Sequence, residues 1–465
     1  MPYMESQLRS YIPQLEALAR AQGLDYYPVE FEVVPPAFMM EISIYGLPVR
    51  MPHWSFGVRY IYQLVQHKMG HSRVFEVVFP GNPGRAYLAS NNSLEENTLV
   101  VAHVLGHADF AKNNLLFANT QQQVGYNIVE QAAAHAAQIS HAMEQHGVER
   151  VEQVLDAALA LEQHIDTHRG LHREAYPAYT PEKETHEEHD PFRRRYDALI
   201  DESAQPRLSS NPHKAPIPPN PEYDLLWFMA RYAPDMEDWE RDIFLTVREE
   251  SFYFQPVFAC QIMNEGWASY WHARLLRESE FLPSDLYLQA IKTHSDVVRP
   301  YAAQKQVSLS LNPYHLGFSM WEKIIEAQGL EAARRIMRED DDFGFIRNNL
   351  TQEMADELRL FEYKSESNGR ISVESRNIAR LREQILAPKF NFGAPRIYVD
   401  ELKADGSLVL RHDNHMDGRG LDAGRAKKVL DYIHTLWRRP VILHTVDRDS
   451  DPRVLRSKEQ EASGA

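Results

Sequence analysis

Residues 91–114 read NNSLEENTLVVAHVLGHADFAKNN. Ser93 followed three residues on by Glu96 has the form of a helix-capping box, set just before an apolar run, so a long helix is expected to start here. Within the run, His103 and His107 stand four apart. Residues at that spacing lie one above the other on the same face of an α-helix. Their neighbours Leu99, Val100, Val101, Val104, Leu105 and Phe110 are apolar, which predicts a buried helix. Two buried imidazoles need polar partners. One metal ion with bonds of about 2.0–2.1 Å would satisfy both, provided a third protein ligand arrives. The plainer alternative is a pair of histidines satisfied inside a core.

The rest of the chain sets the frame for that pair. Its 465 residues exceed what one core usually holds, so two or more units are expected. With 50 Lys+Arg against 66 Asp+Glu the net charge is −16, which argues against a nucleic-acid or anionic-membrane binder, since such surfaces neutralise phosphates with cations. No apolar run is long enough to span a bilayer. The opening segment MPYMESQLRSYIPQLEALARA is amphipathic and carries acids, unlike a secretory signal. The single cysteine, Cys260, leaves no intramolecular disulfide, and the expected location is cytoplasmic.

Periodicity predicts a helix over residues 4–22 and a strand in YYPVEFEVVPP. Two further strands are expected around a Gly/Pro turn in VFEVVFPGNPGRAYLAS, and helices at about 123–146 and 148–167. Residues 170–222 are rich in proline and mixed charge and read as an excursion. Helical patterns then resume and run to about residue 388. RIYVDELKADGSLVLRHD reads as a hairpin with an Asp-Gly turn, followed by a helix and the strand PVILHTVD. The fold class expected is α+β, predominantly helical. A large helical domain with a small N-terminal sheet (1–388) precedes a small C-terminal α+β domain (389–455) and a disordered tail (456–465).

A third metal ligand is suggested by MNEGWASYWH, residues 263–272. This stretch resembles the second helix of the gluzincin metallopeptidases, in which the glutamate of an N-E-G-aromatic-A pattern ligates zinc; here that residue is Glu265. The resemblance implies a zincin-like helix pair and a site for zinc or another divalent transition metal on His103, His107 and Glu265. In the peptidase pattern H-E-x-x-H, the residue after the first histidine is the catalytic glutamate, and here it is Val104. A base must then come from elsewhere, or the chemistry is absent. Glu96 lies two turns before His103 on nearly the same face, where a capping role competes with that of a base. Asp109 and Asn264 flank the ligand positions, and His272, seven residues past Glu265, is a candidate for contact with a ligand or with substrate. The turn-like NPYH places Tyr314 and His315 as candidate oxyanion stabilisers, against the alternative of a helix start with a buried tyrosine.

Other histidines are weaker candidates. His135, His141 and His146 give no single metal face; His164 and His168 form a second pair near a helix end; His186–Asp190 read as loop charge. GNPGR with Arg85 lacks the Walker pattern. It fits better a strand running past the histidine helix with an edge open to an extended peptide-like substrate.

Taken together, residues 79–114, NEGWASYWH (264–272) and NPYHLGF (312–318) make the chain resemble the SpoVR family, the stage V sporulation protein R-like proteins, over nearly its whole length. The resemblance implies a sporulation or stress role, linked to peptidoglycan and the spore cortex, with a PrkA-type serine kinase and a von Willebrand-type protein as partners. Two functions stand open. One is a zinc-dependent peptidase- or amidase-like hydrolase. The other is a catalytically inactive metal-binding scaffold that serves the kinase system.

Overall fold

The computed structural model describes residues 2–68, 75–167, 217–298, 312–360, 362–365, 371–415, 418–447 and 449–457. The expected class holds: the protein is α+β and predominantly helical. Its compact units are not consecutive segments. One joins Met1–Glu152 with Glu249–Gly393, and the other joins Gln153–Arg248 with Ala394–Ala465. The C-terminal strands therefore group with a middle stretch of the chain.

In the first unit a three-stranded sheet has the order β1 (Val29–Val34), β3 (Gly84–Ala89), β2 (Glu76–Phe79). β1 runs parallel to β3 and β2 antiparallel to it, so β2 is an edge strand. From β3 the chain passes into the histidine helix, Leu94–Asn113. Its capping box forms as expected: Ser93 Oγ accepts from the Glu96 amide, and the Glu96 carboxylate accepts from the Ser93 amide at 2.8 Å. The helix is buried on almost every face, as its continuous apolar pattern requires.

The glutamate helix, Gln261–Glu278, lies against it, and the tyrosine helix, Pro313–Gln328, packs on the glutamate helix in turn. Close approach at these crossings depends on small residues. A Cβ on Gly106 would lie 2.7 Å from the Ala268 Cα, and one on Gly317 would lie 2.1 Å from the Ile262 carbonyl oxygen. Gly266 faces Gly317 across the same crossing. Glycine inside a helix costs about 0.5–1 kcal/mol relative to alanine, and contact between backbones gives it a use here. The N-terminus of the glutamate helix is capped from a distance. Asp342 accepts from the amides of Ile262 and Met263, both at 2.9 Å, and pairs with Lys389 at 2.9 Å. Asp109 joins the two central helices by accepting from Trp267 Nε1 at 2.9 Å, and also accepts from the Asp25 amide at 2.8 Å.

The first unit also holds an antiparallel pair, β4 (Glu362–Ser365) and β5 (Ile371–Ser375). In the second unit β6 (Ile397–Leu402) and β7 (Leu408–His412) form the expected hairpin. The helix Ala423–Trp437 crosses over to β8 (Val441–Val446), parallel to β7, and the order is β6-β7-β8-β9. β9 (Pro452–Arg456) was not foreseen, and the Ser457 amide bonds Val441 O at 3.0 Å. The tail expected to be disordered from residue 456 is thus held in the sheet at its first two residues; 458–465 lie outside the described residues. Most of the 170–222 excursion also lies outside them. Its end is tied to the C-terminal sheet, because Leu402 N bonds Ile217 O and Glu222 bridges to Val399 of β6. The expected helices over 123–146 and 148–167 are shorter, Ile128–His146 and Val148–Ala160, and a separate helix, Leu115–Val124, ends at Gly125.

Gly317→Ala is expected to lower the unfolding free energy in urea by about 2–3 kcal/mol, because the backbone opposite cannot withdraw. Gly57→Ala, on an open helix surface, is expected to be neutral or slightly stabilising. A second test concerns His135, which lies between Glu249 (3.4 Å) and Glu250 (3.3 Å), the latter also paired with Arg50. Those carboxylates raise the imidazole from 6.5 to about 9. Its contribution to stability is fully present below pH 6.5 and is lost as pH rises through about 9. Denaturation midpoints measured across that window should fall in wild type, and His135→Gln should flatten the fall.

Candidate metal centre

His103 and His107 project from one face of the histidine helix toward Glu265 on the glutamate helix. The two Nε2 atoms are 3.0 Å apart, and each is 3.5 Å from Glu265 Oε2. A tetrahedral metal with bonds of about 2.0–2.1 Å places its donors about 3.3–3.4 Å from one another. The triangle of donors therefore fits a single small divalent ion. Glu265 Oε2 is buried and makes no hydrogen bond, a costly state that a cation would relieve. Among the described residues, this is the group of histidine, cysteine and acidic side chains whose donor atoms converge within 4.8 Å.

The donors are oriented by their other atoms. His107 Nδ1 bonds Asn264 Oδ1 at 2.8 Å, so that nitrogen carries the proton and Nε2 presents its lone pair. His103 Nδ1 meets His272 Nδ1 at 2.9 Å. Burial pulls Glu265 toward a neutral carboxyl, but the charge of His107 and the contacts with both imidazoles hold it below the usual carboxylate range. Burial, and then His107, push His103 down; His107 is raised by Glu265 against its own burial. A carboxylate with two neutral imidazole donors is a ligand set suited to zinc.

Tyr314 joins the site. Its ring stacks beside His103 with centroids 6.2 Å apart. The charge of Glu265, then burial and the charge of Glu76, hold its phenol well above the ordinary value, so it remains an O–H donor. His315, its neighbour, turns away: its Nδ1 bonds Val298 O at 3.0 Å. Glu96 is also apart, its carboxylate committed to the capping box. Asp109 is tied to Trp267 and Asp25, and burial raises it to about 6. It braces the helix pair and does not enter the donor group. Val104 is fully buried in the hydrophobic core.

Two groups escaped sequence reading. Glu76, on β2, stands with Oε1 4.0 Å from His103 Nε2, and its side chain is 18% exposed. Burial and the charge of Glu265 raise it to about 7. The available signal was an acid at the start of a short apolar strand, EVVF. His294, on the helix Ser284–Val297, accepts or donates at Nδ1 to His272 Nε2, 2.6 Å away; no motif marked it. Of the other histidines, His135 serves the ion cluster and His141 pairs with Glu144. His164 is buried and pushed down to about 4 by that burial, while His168 and His186–Asp190 lie outside the described residues. Arg85 pairs with Glu30 and Glu130.

Comparison with known proteins agrees with the motifs. The family model described as "SpoVR like protein" matches residues 3–393, and that of the "SpoVR-like C-terminal domain" matches 395–448. The chain belongs to the SpoVR family. A relative of this SpoVR chain, the "Uncharacterized protein YcgB" of Escherichia coli (strain K12), is 28% identical over 481 residues, covering 96% of this chain and 93% of the relative. No solved structure matches. No helix among the described residues is long and apolar enough to cross a membrane.

The purified SpoVR chain is expected to carry about one equivalent of zinc or a similar transition metal by elemental analysis. His103→Ala and Glu265→Ala should each lose it, whereas Glu96→Gln should retain it. Wild-type protein free of metal, purified without chelator, would remove the site.

Proposed function

We propose that this SpoVR chain is a metal-dependent hydrolase of a peptide or amide bond, built on a gluzincin-like pair of helices. His103, His107 and Glu265 would hold the ion, and Glu76 would do what Val104 cannot. The observation that supports this reading is a second carboxylate beside the donor triangle. Glu76 lies near His103 Nε2, yet outside the three donors that converge. A carboxylate so placed is free to handle a proton.

A zinc ion at a site with three protein ligands supplies Lewis acidity toward a carbonyl and toward water. The chain's own groups divide the remaining work. Glu76, raised to about 7, accepts a proton at its carboxylate near neutral pH and can return it to the leaving amine. Tyr314 keeps its phenolic proton and offers it to oxygen that gains negative charge. β2, the edge strand that carries Glu76, gives an extended substrate a backbone to pair with. An amide substrate from cell-wall synthesis fits the sporulation role associated with the family, as do a cytoplasmic site of action and a PrkA-type kinase and von Willebrand-type protein as partners.

Val104 in the core supports a second reading, in which the metal is kept and the chemistry lost. The chain would then be a scaffold for those partners. Glu76→Gln separates the two. It should retain its metal and lose about 100-fold or more of the turnover on a panel of peptides and amides. Unchanged turnover in that variant removes Glu76 from the mechanism. A zinc-loaded wild type inert across the whole panel supports the scaffold.

A further inference from the structure

Behind His103 stands a row of imidazoles that the ligand set does not use. His103 Nδ1 is 2.9 Å from His272 Nδ1, and His272 Nε2 is 2.6 Å from His294 Nδ1. The three rings come from three helices: Leu94–Asn113, Gln261–Glu278 and Ser284–Val297. His272 is 1% exposed, while His294 is only half-buried, with Phe318 against its ring. Burial disfavours the charged form of all three rings.

A neutral imidazole has one N–H and one acceptor nitrogen. Three such rings joined by two hydrogen bonds can therefore be ordered in only two ways. In the first, His103 Nε2 carries a proton and directs it toward Glu265 Oε2, 3.5 Å away, and His107 Nε2, 3.0 Å away. His103 Nδ1 then accepts from His272 Nδ1, and His272 Nε2 accepts from His294 Nδ1. In the second, His103 Nε2 gives its lone pair to a metal. Its proton must then sit on Nδ1 and be donated to His272 Nδ1. His272 Nε2 donates to His294 Nδ1, and His294 Nε2 carries the last proton.

We propose that His272 and His294 are positioning residues that form a tautomer relay with His103, reversing as a unit when metal binds and holding His103 as an Nε2 ligand. The reversal balances. One proton leaves His103 Nε2, one passes from His272 Nδ1 to His103 Nδ1, and one passes from His294 Nδ1 to His272 Nε2. One is taken up from solvent at His294 Nε2. Every ring remains neutral, so no charge is left in the core. Hydrogen bonds behind a ligating histidine typically alter metal affinity 10–100-fold. This inference rests on the reading of His103 as a metal ligand.

The test uses the full chain with 15N-labelled histidine. Imidazole nitrogen shifts in the zinc-loaded protein should report Nε2–H on both His272 and His294, and in chelated protein Nδ1–H on both. Zinc competition against a chelator dye gives a second readout. His294→Ala, at a half-buried position, should keep the wild-type circular dichroism and bind zinc about 10-fold more weakly. His294→Gln, whose amide can both donate and accept, should restore most of that loss. Identical tautomers in the two states, or unchanged affinity in His294→Ala, overturn the relay while leaving the metal site in place. A wild type that takes up no zinc overturns the metal reading and the relay with it.

Discussion

Gly266 and Gly317 let two helices touch backbone to backbone, and Gly106 does the same against Ala268. These crossings set the separation of the histidine, glutamate and tyrosine helices to within a fraction of a side chain. An extra methyl group at either contact would push Glu265 away from the imidazoles or Tyr314 away from His103. The donor triangle, with sides of 3.0, 3.5 and 3.5 Å, has little room for such a displacement. The remaining supports serve the same alignment. Asp342 anchors the start of the glutamate helix, and Asp109 binds Trp267 one turn from the glycine contact.

That alignment gathers an unusual density of polar groups in a water-poor interior. Four imidazoles, two carboxylates and a phenol sit among residues that are otherwise largely apolar. Buried charges destabilise a fold unless they are paired and hydrogen-bonded. Most polar groups here are matched: His107 with Asn264, His103 with His272, His272 with His294. Glu265 Oε2 is the orphan. A divalent ion at the triangle would neutralise that carboxylate and also replace the close contact between two Nε2 atoms. Folding and metal binding are then expected to support each other, since the bound ion favours only the chain that has brought the histidine and glutamate helices together.

Much of this was legible in the chain. Local signals carried the histidine helix, because Ser93 and Glu96 are three apart and the apolar run follows directly. The pairing of that helix with NEGWASYWH was legible only through a motif, and the geometry brings His103, His107 and Glu265 together. What stayed hidden depends on tertiary placement. Glu76 sits at the start of a four-residue strand, and nothing in its neighbourhood distinguishes it from a surface acid. His294 is one histidine among 21. β9 is short, exposed and ends in arginine, so it carries no alternation to read. Glu96 misled for the opposite reason: the capping-box pattern already accounted for it. His315 adjoins the informative Tyr314 in sequence, but the helix turns it about 100° away, toward Val298.

The valine at position 104 is best understood from the sheet. In a helix-borne arrangement the ligand and the base share one helix and are fixed to each other by its pitch. Here Val104 contributes to the core, and the second carboxylate arrives on β2, an edge strand joined to the histidine helix through β3 and the turn at Asn92 and Ser93. The distance from Glu76 to His103 then depends on strand position, and under the proposed reading the strand is also the surface along which an extended substrate would pair. A base carried on that strand would move with a substrate paired to it. Under the proposed hydrolase reading, such coupling would align the proton acceptor only when the edge is engaged, and β2 would link occupancy to chemistry at this site.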